Sequence, residues 1–259
     1  MKNIIIVVFL FSVMNIFSQE YKLHIEKRID PDKDNIIFKI NREFIYDYYI
    51  LYKNVDYKIK LKWKDFGTEN RVLEDWELSS GMEDSLVIKN IKYIVAKRNF
   101  FNRTNKFQTE VNIIFSTDLA NIPSWTGIVE NSKNLWIHPP RGYFFNILEL
   151  CPFPFIKYPI TINHEWNDKF SVGDWWGDKG WAEWTGRLLL NIHYKIVEQE
   201  NVLFKEQELL CHVVESYAKS SLGTTSLKSY YHEDFGFVKL IYKAFDYEIV
   251  LYLSDVFKS

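Results

Sequence analysis

Residues 187–197, with the sequence RLLLNIHYKIV, decide the fold class of this 259-residue chain. Apolar side chains recur at every second position from Leu188 to Ile196, and the residues between them are mostly polar. A period of two over this length predicts a long β-strand with one apolar face. Four further strand candidates follow, at residues 209–218, 226–232, 235–242 and 247–253. The short, turn-like segments between them predict an antiparallel meander.

A stretch of different composition, residues 139–186, precedes the meander. It holds five of the seven prolines, five of the nine tryptophans and five of the ten glycines, whereas the chain after it has neither proline nor tryptophan. Proline cannot donate a hydrogen bond to a strand ladder. We therefore predict an ordered connector here, with one short helix at residues 143–150.

Residues 57–64, with the sequence YKIKLKWK, carry the most regular alternation in the N-terminal half. They predict a strand with one buried and one solvated face. Its row of lysines either grips an anionic surface or is a solvated face that lysine protects from aggregation. Residues 67–84 are predicted as a connection, and residues 44–55 remain unassigned. Further strands are predicted at residues 36–40, 86–96 and 108–116, and in a hairpin at 125–129 and 134–138.

These patterns predict an all-β, mainly antiparallel protein. Its C-terminal part is a curved sheet or half-barrel meander, and an N-terminal β region precedes it. The predicted division is a signal peptide at 1–18, an N-terminal β region at 19–138, a Pro/Trp-rich connector at 139–186 and a C-terminal β-meander at 187–259. In an alternative division, residues 139–259 form one unit.

The first 18 residues have the pattern of a secretory signal peptide. Lys2 precedes an apolar run, and small Ser18 suits the position before a cleavage site at Gln19. The absence of cysteine at that point argues against a lipid anchor. No later segment approaches about 18 uninterrupted apolar residues, so no membrane span is predicted. We expect an exported protein, periplasmic or extracellular in a Gram-negative bacterium.

The net charge and the missing motifs exclude several function classes. A formal net charge of −2 at pH 7 argues against a nucleic-acid partner. The chain has no G-x-S-x-G, H-E-x-x-H or Walker sequence, and its glycines lack the spacing of a dinucleotide-binding loop. No cofactor is predicted. No metal site is predicted either, because the histidines of the mature chain are scattered. Cys151 and Cys211 either pair or remain free.

Three acids in the connector, Glu149, Asp174 and Asp178, invite comparison with glycoside hydrolases. Such enzymes place two carboxyl groups across the scissile bond, and tryptophans are close in sequence. Each acid also has a structural explanation: residues 178–180 form a turn sequence, and Glu149 is a natural partner for Arg141. A carbohydrate-active hydrolase therefore remains an alternative, and no catalytic residue is assigned.

The tryptophans of the connector have two interpretations. They form a small aromatic core that orders a loop poor in aliphatic residues, or they contact a ligand through their broad ring faces. Trp175 and Trp176 are adjacent, so at least one of them is expected to be exposed. The candidate ligand-binding residues are Trp175, Trp176, Asp178, Trp181, Trp184, Arg141 and Glu149.

Two resemblances can be stated from motifs. Residues 211–216, 226–231 and 234–239 resemble the final strands of exported half-barrel proteins related to the periplasmic lipoprotein carriers. That resemblance implies a concave apolar face and, by analogy, a hydrophobic ligand. The segments LWIHPPR (135–141), LELCPFP (148–154) and GDWWGD (173–178) resemble a group of uncharacterised exported β-rich proteins of Gram-negative bacteria. The second resemblance implies no activity.

The sequence leaves three functional hypotheses. The first is a non-catalytic binding or envelope-maintenance protein that accepts a small apolar or amphipathic, lipid-like ligand. The second is a hydrolase or a glycan-binding module that uses the Trp-rich loop. The third is a structural or secretion-accessory module, which predicts a large exposed apolar patch. The oligomeric state is left open.

Overall fold

The computed structural model describes residues 35–65, 71–81, 83–97 and 108–257, so the predicted signal peptide lies outside the described residues. Two 3₁₀ helices are present in this part of the chain, Tyr143–Leu150 and Asp174–Trp176. No helix within it is both long and apolar enough to cross a membrane. The strands are β1 (Glu43–Tyr52), β2 (Val55–Asp65), β3 (Arg71–Ser79), β4 (Asn90–Val95), β5 (Thr109–Ser116), β6 (Asn121–Glu130), β7 (Asn134–Ile137), β8 (Phe155–Lys157), β9 (Glu165–Gly173), β10 (Arg187–Phe204), β11 (Gln207–Ser220), β12 (Gly223–His232), β13 (Gly236–Ala244) and β14 (Tyr247–Phe257).

All these strands belong to one open antiparallel sheet. Its order is β8-β7-β6-β5-β4-β1-β14-β13-β12-β11-β10-β9, and β2 and β3 branch from β1. The meander predicted from the C-terminal sequence is confirmed as β10 to β14. The pairing of β1 with β14 joins the N-terminal strands to this meander. The all-β, antiparallel fold class is therefore confirmed, while the predicted domain boundaries remain a prediction.

The sheet curls until its two end strands approach each other. The Phe155 ring of β8 contacts the Trp166 ring of β9, with centroids 5.4 Å apart, although these two strands are not paired. Pro152 and Pro154 lack the N–H group that a ladder needs, and β8 has only three residues. Aromatic side chains, rather than a backbone ladder, therefore close the gap between the ends of the sheet.

The longer 3₁₀ helix, predicted at residues 143–150, lies on the concave side of the sheet. Its Phe145 ring is 5.1 Å from the Tyr48 ring of β1, and its Phe144 ring is 5.0 Å from the Tyr247 ring of β14. Phe144, Phe145 and Tyr48 are fully buried. The Phe145 ring also stacks on Phe115 of β5, with centroids 5.6 Å apart. The helix therefore spans several strands, and the protein's own side chains occupy the concave face.

Two N-terminal predictions are wrong. Residues 36–40 form bends and the start of a turn instead of a strand, because the backbone N–H groups of Ile37 and Phe38 donate to the Glu130 carboxylate rather than to a neighbouring strand. Residues 67–84 are not only a connection, since they contain β3. That strand pairs with β2 and carries the half-buried Trp76. The unassigned run at 44–55 supplies most of β1.

The lysine row of β2 is mostly engaged in ion pairs. Lys58 Nζ lies 2.7 Å from Asp47 Oδ1, and Lys60 Nζ lies 2.7 Å from Asp84 Oδ2. Burial lowers the pKa of Lys58 despite its bond to Asp47. These pairs favour the interpretation of a structural face over one that grips an anionic surface.

The β10–β11 hairpin extends past its neighbours as a two-stranded ribbon. Residues 198–204 pair only with residues 207–213, because the pairing of β10 with β9 stops at Lys195. Phe204 packs inward against Phe235, with ring centroids 5.0 Å apart. On the outward face, Leu203 and Leu210 remain 72% and 55% exposed.

Candidate functional site

The predicted site begins in the tight loop between β7 and the longer 3₁₀ helix. Gly142 follows Arg141 with a φ of 139°, and a Cβ at this position would lie 3.0 Å from the Phe115 ring. Its N–H donates to Asn146 Oδ1 at 2.8 Å. Backbone conformation and close packing therefore both require glycine here, and together they set the direction of Arg141.

Arg141 binds two buried side chains. Its Nε donates to Glu149 Oε1 at 2.5 Å, and its Nη2 lies 3.3 Å from Glu149 Oε2. Nη2 also bonds to His138 Nε2. Glu149 and His138 are both buried. The internal Arg141–Glu149 pair predicted from the sequence is thus present, and it fastens the Pro-rich loop to the 3₁₀ helix.

The buried groups of this cluster have shifted pKa values. Burial, followed by the charge of Arg141, lowers the pKa of His138 well below its ordinary value, so the ring is neutral. Arginine can only donate, so Nε2 accepts and the ring proton lies on Nδ1, 3.5 Å from Glu149 Oε1. Burial raises the pKa of the Glu149 carboxyl, and the nearby Arg141 opposes that shift.

Substitution of Gly142 by alanine should destabilise the protein by about 2 kcal/mol, because a residue with a Cβ is strained at this φ and contacts Phe115. The matched control is Gly186→Ala. Gly186 has a φ of 75° but nothing within 4 Å of the position that a methyl group would occupy, so only the backbone cost of about 1 kcal/mol remains. Urea unfolding measures both values. Equal losses would show that the Phe115 contact is unimportant.

Residues 174–186, called the Trp loop, connect β9 to β10 through two turns. Asp174 Oδ2 accepts the Gly186 N–H at 2.8 Å and so ties the two ends of the loop together. Asp178 Oδ1 accepts the Gly180 N–H at 2.7 Å, and the Asp178 N–H donates to the Ala182 carbonyl at 3.0 Å. Both aspartates therefore have structural roles in the loop.

The adjacent pair of tryptophans separates into one exposed and one half-buried ring, as the sequence predicts. Trp175 is 68% exposed. Its ring lies against Gly173, where a Cβ would be 2.2 Å from a ring carbon. Trp176 packs against the core, and its ring centroid is 5.4 Å from the guanidinium carbon of Arg141. The Trp loop and the Arg141 cluster therefore meet at Trp176.

Trp181 and Trp184 are half-buried and pack against the core. Trp181 stacks on Trp76 of β3, with ring centroids 5.9 Å apart and planes inclined by 19°. The missing side chain of Gly180 lets Trp76 approach, since a Cβ there would lie 3.1 Å from its ring. Tyr247 Oη donates to the Gly180 carbonyl at 3.1 Å. This packing supports the aromatic-core interpretation for the inner part of the loop.

The three acids that invited a hydrolase interpretation are all engaged in structural contacts. Glu149 is buried against Arg141, and Asp174 and Asp178 each accept a backbone N–H within the Trp loop. A glycosidase needs one acid poised to protonate the leaving group and a second facing the sugar. The contacts of these acids lend no support to that role.

The side chains described in the site do not favour metal binding or a cysteine nucleophile. Among the residues that the structure describes, no cluster of three or more His, Cys, Asp or Glu side chains is placed to hold a metal ion. Cys151 and Cys211 are both buried and free. Burial raises the pKa of both thiols to about 12, so neither is a ready nucleophile.

Sequence reasoning missed two residues beside the site. Trp76 lies in a segment that reads as a polar connection, and Tyr247 opens the last strand, 67 residues after Gly180. Their contacts with Trp181 and Gly180 depend on how β3 and β14 are placed in the sheet. No local pattern signals such contacts.

No protein-family model matches the chain, and no curated protein matches it in sequence. Solved structures do match. A protein of Bacteroides fragilis, described as exported and as having a YmcC-like fold, is 9% identical with a TM-score of 0.42, over 86% of this chain and 98% of that chain.

Two further solved structures are lipoproteins by their descriptions. One, from Parabacteroides distasonis, is 11% identical with a TM-score of 0.44, over 87% of this chain and 100% of that chain. The other, the hypothetical lipoprotein YmcC of Escherichia coli, is 7% identical with a TM-score of 0.34, over 82% and 84%. At these identities and scores the similarity carries no information on function. Export is also what residues 1–18 predict for this chain.

Proposed function

We propose that the protein is an exported, non-catalytic binding protein that accepts an apolar or amphipathic, lipid-like molecule on the outer surface of the Trp loop. The observation that carries the proposal is the 68% exposure of Trp175 beside a half-buried Trp176. An exposed indole beside a packed one offers an apolar contact surface, and the packed ring holds that surface in position.

The packing of the concave face favours a ligand site at the surface. A half-barrel carrier would hold its ligand against the inner face of the sheet, but here the 3₁₀ helix lies on that face with Phe144, Phe145, Ile147 and Leu148 fully buried. Displacing those side chains would forfeit the burial of large aromatic groups. The ligand is therefore expected on the Trp loop and not inside the curl.

A second candidate, glycan binding, is favoured by the stacked pair of Trp76 and Trp181. Both rings are only half-buried, and indole faces stack on sugar rings. A third, a structural module, is favoured by the exposed Leu203 and Leu210 on the β10–β11 ribbon. Ligand tests with single substitutions separate these candidates, because each depends on a different part of the surface.

Substitution of Trp175 by alanine should weaken binding of lysophosphatidylcholine about tenfold, as expected when a central aromatic anchor is removed. Isothermal titration below the critical micelle concentration measures this. The matched control is Trp125→Ala, which removes a 71% exposed tryptophan from β6 and should leave the affinity unchanged. Equal effects of the two substitutions, or no binding of any amphiphile, would refute the proposal. Oligosaccharide binding lost in Trp181→Ala would favour the glycan candidate instead.

A further inference from the structure

We propose that Arg141 gives the Trp loop selectivity for anionic amphiphiles, by donating from its Nη1 atom to a carboxylate or phosphate headgroup while the tail lies on Trp175. The inference rests on the proposed function, because it concerns the same surface. It adds a chemical class of ligand and a specificity-determining residue.

The hydrogen bonds of Arg141 to the described residues use only part of its guanidinium. A guanidinium has five N–H donors. Nε and Nη2 serve Glu149 and His138, whereas Nη1 makes no hydrogen bond to any residue in the described part of the chain. Two donors are therefore available on a group whose position is already fixed. These two N–H groups diverge from one nitrogen, so each would donate a charge-assisted hydrogen bond to an oxygen of a carboxylate or phosphate.

Arg141 lies at the surface of the protein. The Arg141 side chain keeps 30% of its area exposed, while its partner Glu149 keeps only 5%. The guanidinium carbon lies 5.4 Å from the centroid of the Trp176 ring. A charged donor thus stands at the margin of an apolar surface, an arrangement that suits a molecule with an anionic head and an apolar tail.

The acidic side chains of the site do not accept a hydrogen bond from Nη1. Glu149 accepts from the buried side of the guanidinium, and His138 is a neutral acceptor that brings no negative charge. Asp174 and Asp178 already accept backbone N–H groups in the Trp loop. None of these contacts reaches Nη1, so an incoming anion would meet unoccupied donors.

The choice of probe distinguishes the two sources of the anionic group, a fatty acid and a phospholipid headgroup. Laurate carries the carboxylate, lysophosphatidic acid carries the phosphate, and dodecyl maltoside is the uncharged probe. Affinities are measured by isothermal titration on the mature chain below each critical micelle concentration. We expect the wild-type protein to bind at least one anionic probe about tenfold more tightly than uncharged dodecyl maltoside.

The test substitution is Arg141→Lys, which retains a charge for Glu149 but removes the two Nη1 donors. It should lower affinity for the anionic probe about tenfold and leave the affinity for dodecyl maltoside unchanged. The control is Arg187→Lys at an exposed position at the start of β10, which should alter neither. Circular dichroism verifies that both variants fold. As a second test, Glu149→Gln removes the buried negative charge and should strengthen binding of the anionic probe.

The outcomes distinguish a failure of the inference about Arg141 from a failure of the proposed function. If Arg141→Lys weakens all probes equally, Arg141 acts only by holding the loop, and the inference fails while the proposed function stands. Unchanged selectivity in Arg141→Lys also overturns the inference. If wild-type protein binds dodecyl maltoside through Trp175 with no preference for anions, the inference is wrong. If no amphiphile binds, the proposed function itself fails.

Discussion

Substitution of Glu130 by alanine is expected to lower the free energy of unfolding by about 3 kcal/mol. Glu130 ends β6 and is buried, and its carboxylate accepts three consecutive backbone N–H groups. Oε1 accepts from Ile36 at 2.9 Å and from Ile37 at 2.7 Å, and Oε2 accepts from Phe38 at 2.9 Å. Hydrogen bonds to a charged acceptor are about twice as strong as neutral ones. Alanine would leave buried donors without a partner.

The loss should also release the segment that Glu130 holds. Ile37 and Phe38 are buried core residues, and they lie against Gly236 at the start of β13. Without the carboxylate, residues 35–40 have no ladder to bind to, since they form bends rather than a strand. Hydrogen exchange of the Ile37 and Phe38 amides should therefore accelerate more than that of the amides in β13.

Urea unfolding and thermal denaturation measure the global effect, with an expected fall in Tm of about 6–12 °C. Glu130→Gln retains one carbonyl oxygen and should lose about half as much stability. The control Glu183→Ala removes an exposed carboxylate from the Trp loop and should change stability by less than about 0.5 kcal/mol. A Glu130→Ala protein as stable as this control would show that the three hydrogen bonds contribute nothing.

The contrast between Glu130 and the meander shows what the sequence can predict. The alternation in residues 187–197 and the short turns after it reveal five strands and their antiparallel order, because period and turn chemistry are local properties. Residues 130–133 read equally locally as a hairpin loop. The partners of the Glu130 carboxylate lie 92–94 positions earlier in the chain. Only the closed fold brings them together.

The same distinction holds within β10. The prediction ends its strand near Val197, where the apolar alternation gives way to Glu198, Gln199, Glu200 and Asn201. The structure continues the strand to Phe204, because the ribbon with β11 needs an apolar face only on its inward side. For the candidate site, the Arg141–Glu149 pair was predictable from charge and proximity in sequence. The stacking of Trp181 on Trp76 was not, since it depends on the placement of β3.

The larger effect is expected at Arg141. Its substitution by methionine should cost about 3–5 kcal/mol at pH 7, because the buried Glu149 carboxylate would lose its only cationic partner in the described cluster. Methionine retains most of the apolar stem, so lost packing contributes little. Urea unfolding at pH 7 measures the loss.

The stability lost in Arg141→Met should depend on pH, and the shift in the pKa of Glu149 sets the direction of that dependence. Burial raises the folded-state pKa of Glu149 above its unfolded value, so the folded protein binds more protons between these two values. Stability contributed by this group therefore falls as pH rises through that window. Removing Arg141 raises the folded pKa further, which widens the window. The Arg141→Met protein should accordingly recover stability as the pH is lowered through this window and Glu149 becomes protonated.

A double substitution separates charge from packing. Arg141→Met combined with Glu149→Met removes both charges and should restore most of the stability lost in Arg141→Met, with no pH dependence from this pair. The groups that could mask the result are His138, which is neutral, and Cys151, whose pKa of about 12 keeps it protonated. If the double variant is as unstable as Arg141→Met and equally sensitive to pH, an uncompensated Glu149 charge is not the cause. The stabilising role of Arg141 would then lie in its contacts with His138 and Trp176.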